Sequence, residues 1–494
     1  MVKIPFSALG FERPALYIGG HWCAASSSQT RPVVNPATEA EIAQIPVATH
    51  EDLAQAGHAA QQGLKNWSEI RGWARAKALH RTAELIRGRM EPMAITLTLE
   101  TGKSLEESRE ELHASADHFD WMAEESKRIS GHTLEPRESN LKSEIFSQPV
   151  GVVVGFTPWN LPALLPARRL SAALAAGCSV ILKPSEEAPL SCMALFQCLH
   201  ESGLPPGVVN LVVGEPSLIS KYYLSQAYVR RMAFTGSTQV GKNLLRDAAE
   251  NLKALSLELS GHAPVIIAED ADPNDAALAC VKAKFMATGQ GCLSPSRFFV
   301  HETIERAFTE AFVQATQKLR VGDPTTMEAQ VGPLKSARRR DAIEALVADA
   351  VREGAQVLCG GQRPEDQKFG FFYLPTVLGH VPREARLLKE EPFGPIAPIL
   401  PFSHLQDVVK RANELPFGLA GYVFSSSPAT CRWVAERLEV GMVGINTFSL
   451  TSPEVPHTGR KESELGRTGG QSGTLEFLEQ KCIRISQSDS LRLT

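Results

Sequence analysis

Short apolar runs alternate with helical stretches through the middle of this chain, and that alternation restricts the fold more than any other feature. The run VGVVVGF, Val150–Phe156, leads into a helical stretch closed by Gly177, and SVILK leads into the helical LSCMALFQCLHESG. VVNLVV, a short helix, RRMAF, the helical VGKNLLRDAAEN and ALSLEL continue the series. Apolar runs of this length between helices make βαβ units, and hence a parallel sheet with helices on both faces. Near Leu259 the series restarts, with PVIIAE, RFFVH, TVLGHV and MVGIN as its strands. A chain of 494 residues is too long for one core. The restart therefore marks the boundary between two doubly wound α/β domains. Ligands of such sheets bind at the carboxyl ends of strands, so chemistry is sought at and just after each apolar run.

The flanking segments read differently. ALYIGGHW and then PVVNPAT predict a short strand pair, and the spacing of apolar residues predicts helix from about Asp52 to Lys127. Arg128–Val150 is polar and strand-like, broken by Gly131, Pro136 and Pro149, which suits a protruding arm. A net charge of −4 gives no reason to expect nucleic acid, and no apolar run approaches the roughly 20 residues of a membrane span. The N-terminus lacks the apolar core of a signal peptide, so a cytoplasmic protein is expected. Nine cysteines are scattered without close pairing; eight read as buried structural thiols in a reducing compartment. No Cys or His spacing predicts a metal site. His113 and His118, five apart on a helical stretch, do not face one point and read as surface or packing residues.

Five strand-end segments carry groups suited to chemistry. Two prolines pin the turn Thr157-Pro158-Trp159-Asn160-Leu161-Pro162, where a rigid Asn160 amide can donate to an oxyanion or simply form the turn. SVILK ends in Lys183, and Glu186 follows at a helix start; it suits either a ribose-binding carboxylate or a solvated acid. Thr235-Gly236-Ser237 opens a helix and leaves backbone N–H groups for a phosphate. Gly236–Lys242 is nearly a P-loop, but Asn243 stands where Ser or Thr should hold Mg²⁺. ALSLEL ends with Glu258-Leu259, then Ser260-Gly261. Glu258 fits a mobile general base, and its 22-residue distance from Gly236 equally fits a ribose acid. Cys292, in Gly289-Gln290-Gly291-Cys292, differs from the other cysteines because it follows a glycine-rich break. A thiol there is open to a substrate, though local sequence alone favours a structural role.

In this order the five segments resemble the NAD(P)-dependent aldehyde dehydrogenase superfamily, over essentially the whole chain. Glu390-Glu391-Pro392-Phe393-Gly394-Pro395, Asn413 with PFGLAG, and Asn446 after GI add to the match. The resemblance implies a Rossmann-like NAD-binding domain (1–127 and 151–258), a catalytic domain (259–477) and a small β arm for oligomerisation (128–150 and 478–494). It implies Cys292 as nucleophile, Glu258 as general base and Asn160 as the side-chain half of an oxyanion hole. Thr157, Trp159, Lys183, Glu186, Gly236, Ser237, Leu259, Glu391 and Phe393 would bind NAD, with NADP the second choice. A small-molecule aldehyde, a homodimer or homotetramer, and no metal are implied with them. The presence of Glu258 sets the chain apart from CoA-acylating relatives.

Within the superfamily the chain is most similar to the succinate-semialdehyde dehydrogenase group. Ser463-Glu464-Leu465-Gly466-Arg467-Thr468-Gly469-Gly470 resembles that group's ending. Arg168 matches its carboxylate-binding arginine, and Thr451 and Ser452 lie near its carboxylate-binding hydroxyl. Three departures stand out. Met286 occupies the position of a second substrate arginine, the usual PFGG is Pro456-His457-Thr458-Gly459, and ELGGK is Glu258-Leu259-Ser260-Gly261-His262. Leu165 and Met286 would make the substrate tunnel apolar, with His457 near it. The expected substrate is a carboxylate-bearing semialdehyde, the alternative an aromatic or medium-chain aldehyde.

Overall fold

The structure is a computed structural model that describes residues 4–138, 140–326 and 328–486. Five parallel strands form the first sheet's centre, in the order Val209–Leu211, Ser179–Lys183, Val152–Phe156, Val229–Thr235 and Ala254–Glu258. Numbered along the chain, this is the doubly wound order 3-2-1-4-5, with the reversal beside Val152–Phe156. Leu16–Ile18 and Glu464–Leu465 add antiparallel strands to its two edges. The helix Leu164–Ala176 is buried along its whole length, and its sequence is apolar and small apart from Arg168, Arg169 and Ser171. Gly177 closes it in the left-handed conformation, φ 95°. Ala163 and Leu164 at its start donate their N–H groups to Glu111 Oε1, at 2.9 and 3.1 Å.

The second sheet is ordered Gln356–Cys359, Thr376–Gly379, Ile396–Phe402, Pro295–His301, Ala263–Ile267, Ala420–Phe424, Met442–Ile445. All its pairings are parallel except that of Gln356–Cys359. The helical stretch before the first sheet divides into His50–Ser68, Gly72–Gly88, Met90–Thr101 and Leu105–Ser126. Ser104 and Glu107 form a capping box at the start of the last.

Two sequence expectations need correction. The N-terminal segment makes two hairpins rather than one strand pair. Leu16–Ile18 pairs with His21–Cys23, because Gly19 and Gly20 (φ 62° and 91°) permit a two-residue turn; Thr30–Val34 pairs with Glu41–Pro46. The cysteines are all free, but only Cys178, Cys192, Cys198, Cys280 and Cys431 are buried. Cys482 is exposed because its strand, Leu478–Ser486, lies outside both cores and pairs along nine residues with Leu141–Pro149. His132–Leu134 completes this small third sheet, which leaves Leu134, Phe146, Ile483 and Ile485 exposed. Residues 487–494, expected in the arm, lie outside the described residues. Among the described residues no helix is long and apolar enough to cross a membrane.

Candidate active site

The two sheets face each other across a cleft with opposite edges. From the first come carboxyl ends: Glu258 is the last residue of its strand, Lys183 of another, and Gly236 and Thr157 each follow one. Cys292 breaks the expected pattern, because it precedes the strand Pro295–His301. Its loop is held in a costly shape: Ala287 and Thr288 have φ of 47° and 57°, where β-carbons crowd the backbone. Several bonds hold that shape. Ala287 N–H donates to Glu107 Oε1 at 2.6 Å, Thr288 Oγ1 to Gly332 O at 3.0 Å, and Lys335 N–H to Gln290 Oε1 at 2.9 Å. Gly261 is needed on the other side, since a Cβ there would meet Cys292 O at 2.8 Å.

The sulfur, the carboxylate and the amide converge. Cys292 Sγ donates to Glu258 Oε1 at 3.4 Å. Asn160 Nδ2 donates one hydrogen to Gln290 O at 3.2 Å, which leaves its second for another acceptor. Burial, then the Glu258 charge, pushes the Cys292 thiol well above its usual range, so the resting sulfur is protonated. Burial pushes Glu258 up as well, but the positive field facing it prevails and holds its carboxyl below the ordinary range. His457 Nε2 lies 3.7 Å from Oε1 and Arg169 Nη2 lies 3.9 Å from Oε2. Burial pushes His457 down to about 4, so at neutral pH the imidazole is uncharged and the arginines supply the field. Burial, with Glu258 next, raises Glu464 to about 8. Arg169 and Glu464 thus belong to the electrostatics of Glu258; the sequence showed them only as a second arginine and a match to an ending.

A second group of strand-end residues fits a dinucleotide. Lys183 Nζ lies 2.5 Å from Glu186 Oε2, and Arg31 Nη1 lies 3.9 Å from Glu186 Oε1. Gly236 has no room for a side chain, since a Cβ would meet the Phe234 ring at 2.4 Å. Ser237 precedes the helix Thr238–Ala249, and its side chain makes no capping bond. The hydroxyls of Thr157 and Thr238 are buried without partners. Leu259 packs beneath Gly241 of that helix. At the other end Glu391 Oε1 accepts from Gly261 N–H at 3.2 Å, and Phe393 meets Trp159 edge-on at 5.6 Å. Orphan hydroxyls, an uncapped helix start and a carboxylate at each end suit phosphates flanked by two riboses. The P-loop reading fails here: Lys242 Nζ turns outward to Glu462 at 2.7 Å.

The chain matches the aldehyde dehydrogenase family over residues 22–483. It is 42% identical over 475 residues to a 4-(hydroxymethyl)benzenesulfonate dehydrogenase of Comamonas testosteroni, covering 96% of this chain and 98% of that protein. The succinate-semialdehyde dehydrogenase [NADP(+)] of Escherichia coli is 36% identical over 475 residues, with the same coverage. The crystal structure of betaine aldehyde dehydrogenase from Staphylococcus aureus in complex with NAD+ superposes with a TM-score of 0.95 at 32% identity. That match covers 99% of this chain and 97% of that one. This chain belongs to the aldehyde dehydrogenase family. Members of that family use NAD(P).

In this aldehyde dehydrogenase a cavity of about 420 Å³ opens onto Cys292. Asn160, Arg168, Met286, Thr451 and His457 line it. Leu165 does not; it is buried, and one residue back Leu164 shares the helix face of Arg168 and lines the wall with Leu161. Ser452 lines an adjoining recess of about 340 Å³, which shares Leu164, Arg168 and Thr451 with the cavity. Arg168 is 7% exposed, and its Nε donates to His118 Nε2 at 3.2 Å. His118 is therefore more than packing: burial, then Arg168, hold it well below the usual histidine range, and it orients the guanidinium as a neutral acceptor. His262 is also buried and neutral, joining Ser296 Oγ (2.7 Å) and Leu387 O (3.0 Å). Although the sequence predicted no metal ligands in proximity, the fold brings Glu258, Cys292 and His457 together.

Proposed function

We propose that this enzyme is a non-acylating aldehyde dehydrogenase that oxidises an aldehyde bearing one anionic group to the carboxylic acid. Semialdehydes with a carboxylate are the first class. The state of Arg168 carries this reading. Among the described residues it has no carboxylate within ion-pair distance, only a neutral imidazole, although it is buried beside the cavity. A buried guanidinium without an anion is costly, and a substrate carboxylate or sulfonate would supply one. Met286 stands in place of a second arginine, and Lys103, the other cation lining the cavity, is already paired with Glu111, which leaves Arg168 as the cation without a carboxylate partner. Leu161, Leu164, Met286 and Phe448 make one part of the wall apolar, while Glu107, Glu110 and Glu111 line another. The apolar part favours a second reading, an aromatic aldehyde with an acidic substituent, and the name of the Comamonas relative likewise joins a ring to a sulfonate.

The site residues support the following course. Cys292 passes its proton to Glu258 as sulfur attacks the carbonyl carbon, and the proton then leaves to solvent. The second hydrogen of Asn160 Nδ2 and the Cys292 N–H, which bonds to no described residue, hold the oxyanion of the thiohemiacetal. When bound, NAD(P)+ supplies the hydride acceptor. Glu258 then takes a proton from the water that attacks the Cys292 thioester, and the carboxylic acid departs. Glu186 accepts ribose hydroxyls and repels a 2′-phosphate, so NAD is the first cofactor. Lys183 and Arg31 beside it leave NADP admissible. Leu478–Ser486 is the outermost strand of the small third sheet, and the exposed Phe146, Ile483 and Ile485 of that sheet suit the arm for a homodimer or homotetramer.

The test compares kcat/KM for succinate semialdehyde, 4-carboxybenzaldehyde and benzaldehyde in the wild type and in Arg168→Met. A lost charge-assisted contact lowers kcat/KM for the two acids by about 10- to 100-fold relative to benzaldehyde. Equal losses for all three would refute the anion anchor.

A further inference from the structure

The course above gives His457 no task, yet its setting is unusual. It is 3% exposed, and both ring nitrogens are buried without a hydrogen-bond partner. Glu258, 1% exposed, leaves Oε2 equally unpartnered. Unpaired polar atoms this deeply buried are uncommon and call for a ligand. Ligand atoms of Glu258, Cys292 and His457 all lie within 4.8 Å of one another, while Glu258 Oε2 lies 3.9 Å from Arg169. Sγ is 3.4 Å from Glu258 Oε1, and His457 Nε2 is 3.7 Å from that oxygen.

Those separations match a specific coordination sphere. Around tetrahedral zinc, sulfur, nitrogen and oxygen ligands stand roughly 3.3–3.6 Å apart, from bond lengths of about 2.0–2.3 Å. Two of the three pairs are within a few tenths of an ångström of that already. Thiolate, imidazole and carboxylate together favour a borderline-soft divalent ion over magnesium or calcium. Cys292 and His457 also line the cavity, which gives the ion an entry path and leaves a fourth position for water.

We propose that Cys292, Glu258 and His457 form an inhibitory zinc site. Binding breaks the Sγ–H bond, releases that proton to solvent and forms a sulfur–zinc bond, with no change of oxidation state. It occupies the nucleophile and the base together, so turnover stops until the ion is removed. The site does not depend on which aldehyde is oxidised, or on oxidation at all, and its assay is separate from activity.

Cobalt(II) is the probe. The full-length protein, cleared of metal by a chelator, is titrated with Co²⁺ and read by absorption. The expected result is one Co²⁺ per chain with intense tetrahedral bands and a thiolate-to-cobalt charge-transfer band, displaced by Zn²⁺. Cys292→Ser abolishes the charge-transfer band, and His457→Phe and His457→Gln each weaken binding by at least about 10-fold. Zn²⁺ also shields Cys292 from iodoacetamide, and EDTA restores both alkylation and turnover. Circular dichroism selects whichever His457 variant is folded. A charge-transfer band that persists in Cys292→Ser assigns the metal to another thiol and overturns the proposal. So does unchanged affinity in the folded His457 variant, or no band in the wild type.

Discussion

The first sheet meets the cleft with the carboxyl ends of its strands, the second with amino ends. On the first side Lys183 and Glu258 end their strands, and Thr157 and Gly236 directly follow theirs. On the second side Cys292 and Glu391 lie in loops that lead into Pro295–His301 and Ile396–Phe402. Carboxyl ends place functional side chains with little distortion, because the strand fixes the backbone up to the residue concerned. The loops at the amino ends must hold themselves, and the one before Cys292 has two non-glycine residues at positive φ and anchors to Glu107, Gly332 and Lys335. In the proposed course, one side supplies proton transfer and cofactor contacts from a stiff frame, and the other a nucleophile on a braced loop.

Exchanging residues across the cleft separates these contributions. The largest effect belongs to the base on the first side. Glu258→Gln lowers steady-state kcat by about 10²- to 10⁴-fold, while a stoichiometric burst of NADH persists. The burst slows, because the proton acceptor for the thiol is lost, but it survives, because loss of the carboxylate also removes a charge that pushes the Cys292 thiol up. Rapid-mixing absorbance measures burst and steady state together. A steady-state loss without a burst would place Glu258 before hydride transfer alone and dissolve the division between the two sides. Asn160→Ala comes next, with kcat lower by about 10²- to 10³-fold, the usual cost of one oxyanion donor. The Kd for NAD+ stays within about 2-fold, because Asn160 lines the cavity that opens onto Cys292 rather than the group of residues around Lys183, Gly236 and Glu391. Kinetics and fluorescence titration on the same preparation check both halves.

The difference between the sheets also explains what was legible beforehand. Glu258, Lys183 and Gly236 could be found by reading to the end of an apolar run, since strand and residue are adjacent in sequence. Cys292 could not be found that way; its glycine-rich loop was the only local sign, and resemblance to the family carried the rest. Neither route shows Arg169 beside Glu258, Glu464 behind it, or His118 under Arg168. These contacts join segments far apart in the chain and leave no local pattern. The His457 substitution was visible in Pro456-His457-Thr458-Gly459, but its 3.7 Å approach to Glu258 arises only when Glu464–Leu465 joins the edge of Ala254–Glu258 and draws the C-terminal segment in. Leu165 went wrong for a smaller reason. Helical phase near a proline-pinned start is uncertain by one residue, and one residue turns a side chain by about 100°.

The smallest expected effect tests the amino-end side as a cofactor contact. Burial raises the Glu391 carboxyl to about 7, against the Gly261 N–H, Ser260, Arg339 and Lys284, all of which favour its ionised form. Ribose hydroxyls donate to a carboxylate, so cofactor binding favours the ionised state. Below the raised pKa a proton must leave before binding, and above it none does. Affinity for NAD+ should therefore rise with pH through about 7, by about 10-fold from about pH 6 to about pH 8. Burial also lowers Lys284 to about 7, with Glu391 opposing that shift. Removing this neighbour in Lys284→Met should move the midpoint upward, by less than about one unit. In Glu391→Gln the profile should be flat over the same range, with weaker binding at the alkaline end. Fluorescence titrations of NAD+ across that range decide it. If the rise persists in Glu391→Gln, the titrating group lies elsewhere, and the cofactor contacts belong to the carboxyl-end side alone.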